Sequence, residues 1–155
     1  MMLQPIKYER VWAMPNKRTF QIPPITRLRQ EEFMFKNYID PFPFEGTIDC
    51  FDFLATLEDN SVDEADVDPP YTKRQVSEHY KKNGGKVTGW HTSAGWTAKV
   101  KDEIARVIKP GGKVISYGYN TCGIGKTRGF QITRTLDVCH GGDHYDTLCT
   151  VEIKL

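Results

Sequence analysis

Apolar positions along the chain recur at two spacings, one helical and one extended, and the changes between them divide it into elements. In Asp49-Cys50-Phe51-Asp52-Phe53-Leu54-Ala55-Thr56-Leu57, residues Cys50, Phe53, Leu54 and Leu57 form one helical stripe, and Asp49 stands where an N-cap belongs. The most regular helical run is Gly95 to Ile108, with Trp96, Val100, Ile104 and Val107 on one face and Lys109-Pro110-Gly111-Gly112 as its stop. Arg27 to Tyr38 predicts a shorter helix, stopped by Asp40-Pro41-Phe42-Pro43 because a residue before proline is driven from helical angles. Thr72 to Lys82 predicts another, capped by Thr72. Strands are expected over Ser61–Asp68, Lys113–Tyr119, Phe130–Cys139 and Asp146–Lys154, the last two joined by the turn-forming His140-Gly141-Gly142-Asp143. Residues 1–24, broken by Pro5, Pro15, Pro23 and Pro24, predict an irregular arm packed on the surface.

That order of elements predicts an α/β domain with a mostly parallel sheet and a C-terminal antiparallel hairpin. At 155 residues it is long enough to bury its own core as one domain. Ligands of such sheets lie beyond the carboxyl ends of the strands. Asp68-Pro69-Pro70-Tyr71 follows the first expected strand, and Gly118-Tyr119-Asn120 lies at the end of the second. The first strand is itself unusual. A buried parallel strand is near-continuously apolar, yet Val62-Asp63-Glu64-Ala65-Asp66-Val67 carries three acids. Burying them unpaired is prohibitive, so this strand is expected at an edge or only partly covered.

The net charge of +1 conceals a division. Residues 1–70 hold seven bases and thirteen acids, a net of −6, whereas residues 71–155 hold fourteen bases and seven acids, a net of +7. Opposed fields of this size draw a cation to one region and a polyanion to the other. Trp90, in the glycine-bearing loop 83–94, has Lys81, Lys82 and Lys86 nearby, a mixture suited to stacking on bases and contacting phosphates. No apolar run of membrane-spanning length occurs, and the N-terminus lacks a signal-peptide stretch. Cys50, Cys122, Cys139 and Cys149 have no CxxC spacing, and a cytoplasmic location is expected. Cys139, His140, His144 and Cys149 match none of the usual zinc spacings, so no metal is expected. Gly123-Ile124-Gly125-Lys126-Thr127 lacks the glycine gap of a phosphate loop and reads as a plain connection.

The tetrapeptide Asp68-Pro69-Pro70-Tyr71 carries the sharpest chemistry. Its two prolines fix two φ angles, giving a rigid turn with its carbonyls aimed in defined directions. An exocyclic amine on a heteroaromatic ring is a poor nucleophile because its lone pair is delocalised. Two acceptors off the ring plane, the Asp68 carboxylate and the Pro69 carbonyl, would hold both amine hydrogens and turn that lone pair outward. Tyr71 would stack on the base, as flipped bases are gripped by aromatic rings.

The motif and its surroundings, Glu58-Asp59-Asn60-Ser61-Val62-Asp63 before it and Arg106-Val107-Ile108-Lys109-Pro110-Gly111-Gly112 after it, resemble the DNA amino-methyltransferases. The resemblance covers roughly residues 39–120. It implies a Rossmann-like methyltransferase sheet, S-adenosylmethionine as cofactor, and DNA methylation at an exocyclic amine, adenine N6 first. It also implies Asp68, Pro69, Pro70 and Tyr71 as catalytic, Asp40 and Phe42 as the start of the cofactor loop, and Asp49 as the acid for the cofactor's adenine. Two departures stand out. Pro43-Phe44-Glu45-Gly46 replaces the family's Gly-rich turn, and only six residues separate Phe42 from Asp49, as though the first βαβ unit were missing. A homo-oligomer completing the site is one expectation. A non-catalytic nucleic-acid- or protein-binding module on a degenerate scaffold is the alternative.

Overall fold

A computed structural model of the chain describes residues 5–44, 49–69 and 94–155. Its elements are β1 (Lys7–Trp12), α1 (Pro23–Glu32), β2 (Tyr38–Ile39), α2 (Cys50–Ala55), β3 (Val62–Val67), α3 (Ala94–Val107), β4 (Ile108–Gly118), β5 (Phe130–Cys139) and β6 (Thr147–Lys154). The strands form one six-stranded sheet in the order β1-β5-β6-β4-β3-β2. β1 pairs in parallel with β5, β2 with β3 and β3 with β4, while β6 runs antiparallel to both β4 and β5. All described strands but β6 therefore share one direction. The fold is α/β and Rossmann-like in order, with β5 and β6 as the expected antiparallel C-terminal hairpin.

Each sheet face has its own core. On one, Ile25 and Leu28 of α1 pack on Ile115, Tyr117, Leu136, Val138, Cys149 and Val151. On the other, Cys50 and Leu54 of α2 join Trp96, Val100, Ile104 and Val107 of α3 against Ala65, Val67, Val114 and Phe130. The stripe read for α3 is the buried one. β1 and β2 form the two edges of the described sheet. No helix among the described residues is long and apolar enough to cross a membrane.

Three expectations are corrected. Within the supposedly irregular arm, Lys7–Trp12 is a strand; its alternation is hidden because the water-facing Tyr8 and Trp12 are apolar while the inward Glu9 is charged. The first helix spans Pro23–Glu32 rather than Arg27–Tyr38. Pro23 and Pro24 begin it instead of blocking it, since proline's fixed φ and missing N–H suit the first turn. The chain leaves the helix at Phe33, and left-handed Phe35 and Asn37, at φ 55° and 43°, turn it into β2. Finally, β3 is neither an edge strand nor half covered. It lies between β2 and β4, with Glu64 6% and Asp66 0% exposed.

Burial of those acids is offset by specific partners. Asp66 accepts from Arg29 Nε at 2.8 Å, Tyr38 OH at 2.5 Å and Tyr117 OH at 2.6 Å, drawing on α1, β2 and β4. Glu64 accepts the backbone N–H groups of Met34 and Lys36, both at 2.7 Å. Asp63 accepts from Asn37 Nδ2 at 2.6 Å and lies 3.5 Å from Lys109 Nζ. Arg29 also stacks over the Phe20 ring, 4.1 Å from its centroid.

Removing one member of a buried ion pair strands the other, at a cost of about 3–5 kcal/mol. Asp66→Ala is predicted to lose that much stability in chemical denaturation, because Arg29 stays behind largely buried. Pairing Asp66→Leu with Arg29→Met should recover more than half of the loss. An unchanged denaturation midpoint for Asp66→Ala would remove the network from the account.

Candidate functional site at the carboxyl ends of the strands

β2 and β3 are parallel neighbours with Tyr38 opposite Glu64 and Ile39 opposite Ala65, so the segments leaving them emerge at the same end of the sheet. Asp40 leaves β2 and Asp68-Pro69 leaves β3. The structure thus brings together the starts of two motifs that lie 28 residues apart along the chain. Asp40 accepts the Phe42 N–H at 3.1 Å, forming an Asx turn just after β2. Burial pushes its carboxyl up to about 7, the Phe42 N–H opposes this, and the charges of Asp66 and Asp68 add to it. Among the described residues, the cluster brings Asp40, Asp66 and Asp68 together with Arg29.

Asp49 caps α2, accepting the Phe51 N–H at 2.8 Å. Phe42 is 5% exposed and packs against Trp96, ring centroids 5.8 Å apart, while Phe51 meets Trp96 edge-on at 6.3 Å. Phe42 and Trp96 therefore belong to the core that backs the site. Pro70, Tyr71, Lys81, Lys82, Lys86 and Trp90 lie outside the described residues.

A cavity of about 230 Å³ opens beside Pro69, between the carboxyl ends of β3 and β4 and helix α3. Val67, Trp96 and Val100 give it apolar walls, and Lys101, Ser116, Tyr119 and Asn120 supply polar groups. Tyr119 and Asn120 were expected from their place at the end of β4. Ser116 was not foreseen, although it is the polar residue two after Val114 on a face otherwise apolar. Its Oγ is buried without a hydrogen-bond partner among the described residues.

The rim of the cavity is held by a residue the sequence did not single out. Glu152, 1% exposed on β6, accepts the N–H groups of Ile124 at 2.7 Å and Gly125 at 3.1 Å. Two amides of the glycine-bearing connection are thus bonded to a carboxylate of the protein's own sheet. Gly123 is required there: its φ is +59°, and a Cβ would lie 2.2 Å from the Glu152 carboxylate. In the hairpin, both ring nitrogens of His140 are engaged, with Ala13 O at 2.9 Å and Thr147 Oγ1 at 2.8 Å. The ligand-type group nearby is Asp137, Cys139 and Asp146, and Arg10 Nε lies 2.8 Å from the Cys139 sulfur.

No protein-family model matches the chain. No curated protein matches it either. Among solved structures, the crystal structure of PH0851 is similar, at 14% sequence identity and a TM-score of 0.41. The likeness covers 97% of this chain and 43% of PH0851, so the chain spans less than half the length of that protein.

The raised carboxyl of Asp40 makes a prediction whose sign follows from linkage. In the unfolded chain the group releases its proton near 3.8, whereas in the folded chain it keeps it to about 7. The folded state binds the extra proton between those values, so this group's contribution to stability is lost as pH rises through that window. Asp40→Asn, which can still accept the Phe42 N–H, should lose less stability than the parent between pH 4 and pH 7 in urea titrations. Equal slopes for the two proteins would place the Asp40 carboxyl in solvent.

Proposed function

We propose that the chain transfers a methyl group from S-adenosylmethionine to the exocyclic amine of a nucleobase in DNA, adenine N6 first. The observation that carries this reading is the adjacency of β2 and β3, with Asp40-Pro41-Phe42 leaving one strand and Asp68-Pro69 leaving the next. The residues present suit the cofactor's charge. Among the described residues, the carboxyls of Asp40, Asp66 and Asp68 lie within electrostatic reach of one another at this end of the sheet, a setting that suits a cation. S-adenosylmethionine, when bound, supplies an electrophilic methyl group on a sulfonium.

The chain's own residues do the rest. The Asp68 carboxylate and the Pro69 carbonyl accept the two amine hydrogens and pull the nitrogen lone pair out of conjugation with the ring. Their rigid placement avoids reorganisation at the moment of attack. The cavity beside Pro69, about 230 Å³, is below the roughly 300–1,000 Å³ of common ligand pockets. It suits one planar ring, with Val67, Trp96 and Val100 excluding water. In this reading Tyr71 stacks on the base, and Lys81, Lys82, Lys86 and Trp90 engage the DNA.

One set of observations favours a second reading, a nucleic-acid- or protein-binding module without catalysis. Where a Gly-rich turn would let a backbone approach the cofactor, Pro43 and Phe44 follow Phe42, and the Arg18 guanidinium sits 4.2 Å above the Phe44 ring. No described strand beyond β2 offers an acid for a ribose.

Transfer of labelled methyl groups to adenine-containing DNA separates the readings. The parent chain is expected to label DNA, and Asp68→Ala to do so about 100-fold more slowly or worse, the scale for losing one preorganised transition-state contact. Undiminished labelling by a folded Asp68→Ala protein would refute the mechanism. DNA binding by the parent without any labelling would favour the module.

A further inference from the structure

β1 has two unlike sides. Glu9, Val11 and Ala13 turn inward: Val11 and Ala13 join the core under α1, and Glu9 pairs with Arg27 at 3.2 Å. The alternate positions face water: Ile6 is 53%, Tyr8 64%, Trp12 63% and Met14 67% exposed, and the Arg10 side chain 63%. Among the described residues β1 is hydrogen-bonded along one side only, to β5, from Lys7 opposite Arg134 to Trp12 opposite Cys139. Its outer side is a sheet edge, where a row of backbone N–H and C=O groups is a template for another strand.

The exposed row reads Ile6, Tyr8, Arg10, Trp12, Met14: two apolar residues, an arginine, two apolar residues. It is a palindrome about Arg10. Antiparallel pairing of two identical strands needs a two-fold axis normal to the sheet, which keeps every side chain on its own face. Centring that axis on residue 10 sets Tyr8 against Trp12 and Ile6 against Met14, each twice. All four exposed apolar side chains of each copy are then covered in cross-strand pairs. Centring it on residue 9 would instead oppose two Glu9 carboxylates and set the Tyr8 ring against Arg10 rather than against Trp12. The two arginines that meet on the axis arrive with their charge compensated. Each lies 3.3 Å from its own Asp137 and donates to Cys139 Sγ at 2.8 Å. Flanking tyrosine and tryptophan rings give each guanidinium a face to stack on.

We infer that β1 pairs antiparallel with β1 of a second copy of this chain, about a two-fold axis at Arg10, so that the two sheets become continuous. A partner of another kind has no need of a palindrome. Methyl transfer plays no part in this inference.

Sedimentation and cross-linking test it on the full chain. The parent should sediment at tens of micromolar as about twice 17.8 kDa. Tyr8→Asp combined with Met14→Asp should halve that mass while leaving the circular dichroism spectrum unchanged. Directly opposite Cβ atoms lie about 4.5–5.5 Å apart, within reach of a disulfide after small adjustment. Arg10→Cys, with Cys122→Ser and Cys139→Ser to remove competing thiols, should therefore form a covalent dimer on mild oxidation, and Glu9→Cys in the same background should not. A monomeric parent at 100 µM would overturn the pairing, as would a dimer indifferent to the Tyr8 and Met14 changes. A dimer that cross-links through residue 9 in preference to residue 10 would overturn the register.

Discussion

A single buried carboxylate organises this protein. Asp66 sits in β3, flanked by β2 and β4, with no exposure to solvent, and that position is tolerable only because Arg29, Tyr38 and Tyr117 all donate to it. Those three donors come from a helix and from the strand on each side. The need to satisfy one charge thus fixes how α1 lies on the sheet and where β2 pairs. β2 has two residues, too few for ladder hydrogen bonds to hold it alone. Glu64 adds to its anchorage by gathering the Met34 and Lys36 amides of the left-handed turn that leads into it.

The site depends on that anchorage. Asp40 leaves β2 and Asp68 leaves β3, so whatever holds those strands in register holds the two acids at one end of the sheet. The acidity of the first half of the chain therefore divides in two. Asp63, Glu64 and Asp66 are spent inside the fold on named donors. Asp40 and Asp68 lie where β2 and β3 end, and burial first, then the charges of Asp66 and Asp68, raise the Asp40 carboxyl. Glu152 repeats the internal use on the other side, where a buried acid shapes the rim of the cavity by taking two loop amides.

Elements governed by local rules were legible in the sequence. The α3 stripe, the Asp49 cap and the antiparallel strands around His140 all follow from spacing and capping chemistry, and each is in place. The misread elements depend on partners distant along the chain. The acids of β3 argued for exposure until their donors were known, and Arg29, which pairs with Asp66, is 37 residues away. β1 was hidden because apolar Tyr8 and Trp12 face water while charged Glu9 faces inward, and because its parallel partner, β5, begins at residue 130. Pro23 and Pro24 read as breakers because the same fixed φ that ends one helix starts another. In the site, Asp40 and Asp68 were visible as motif residues, whereas Ser116 and Glu152 owe their roles to cross-sheet neighbours that no spacing encodes.

The central claim is that the carboxyl ends of β2 and β3 receive a cationic cofactor. Calorimetric titration with S-adenosylmethionine, with and without adenine-containing DNA, tests it most directly. A cation bound beside Asp40 must displace the proton that burial retains there to about pH 7. Saturable binding is therefore predicted, tightening by about tenfold from pH 6 to pH 8, the ratio of ionised fractions for such a group. Asp40→Asn should flatten that dependence. Absence of heat at millimolar cofactor, with DNA present and without it, would contradict the account.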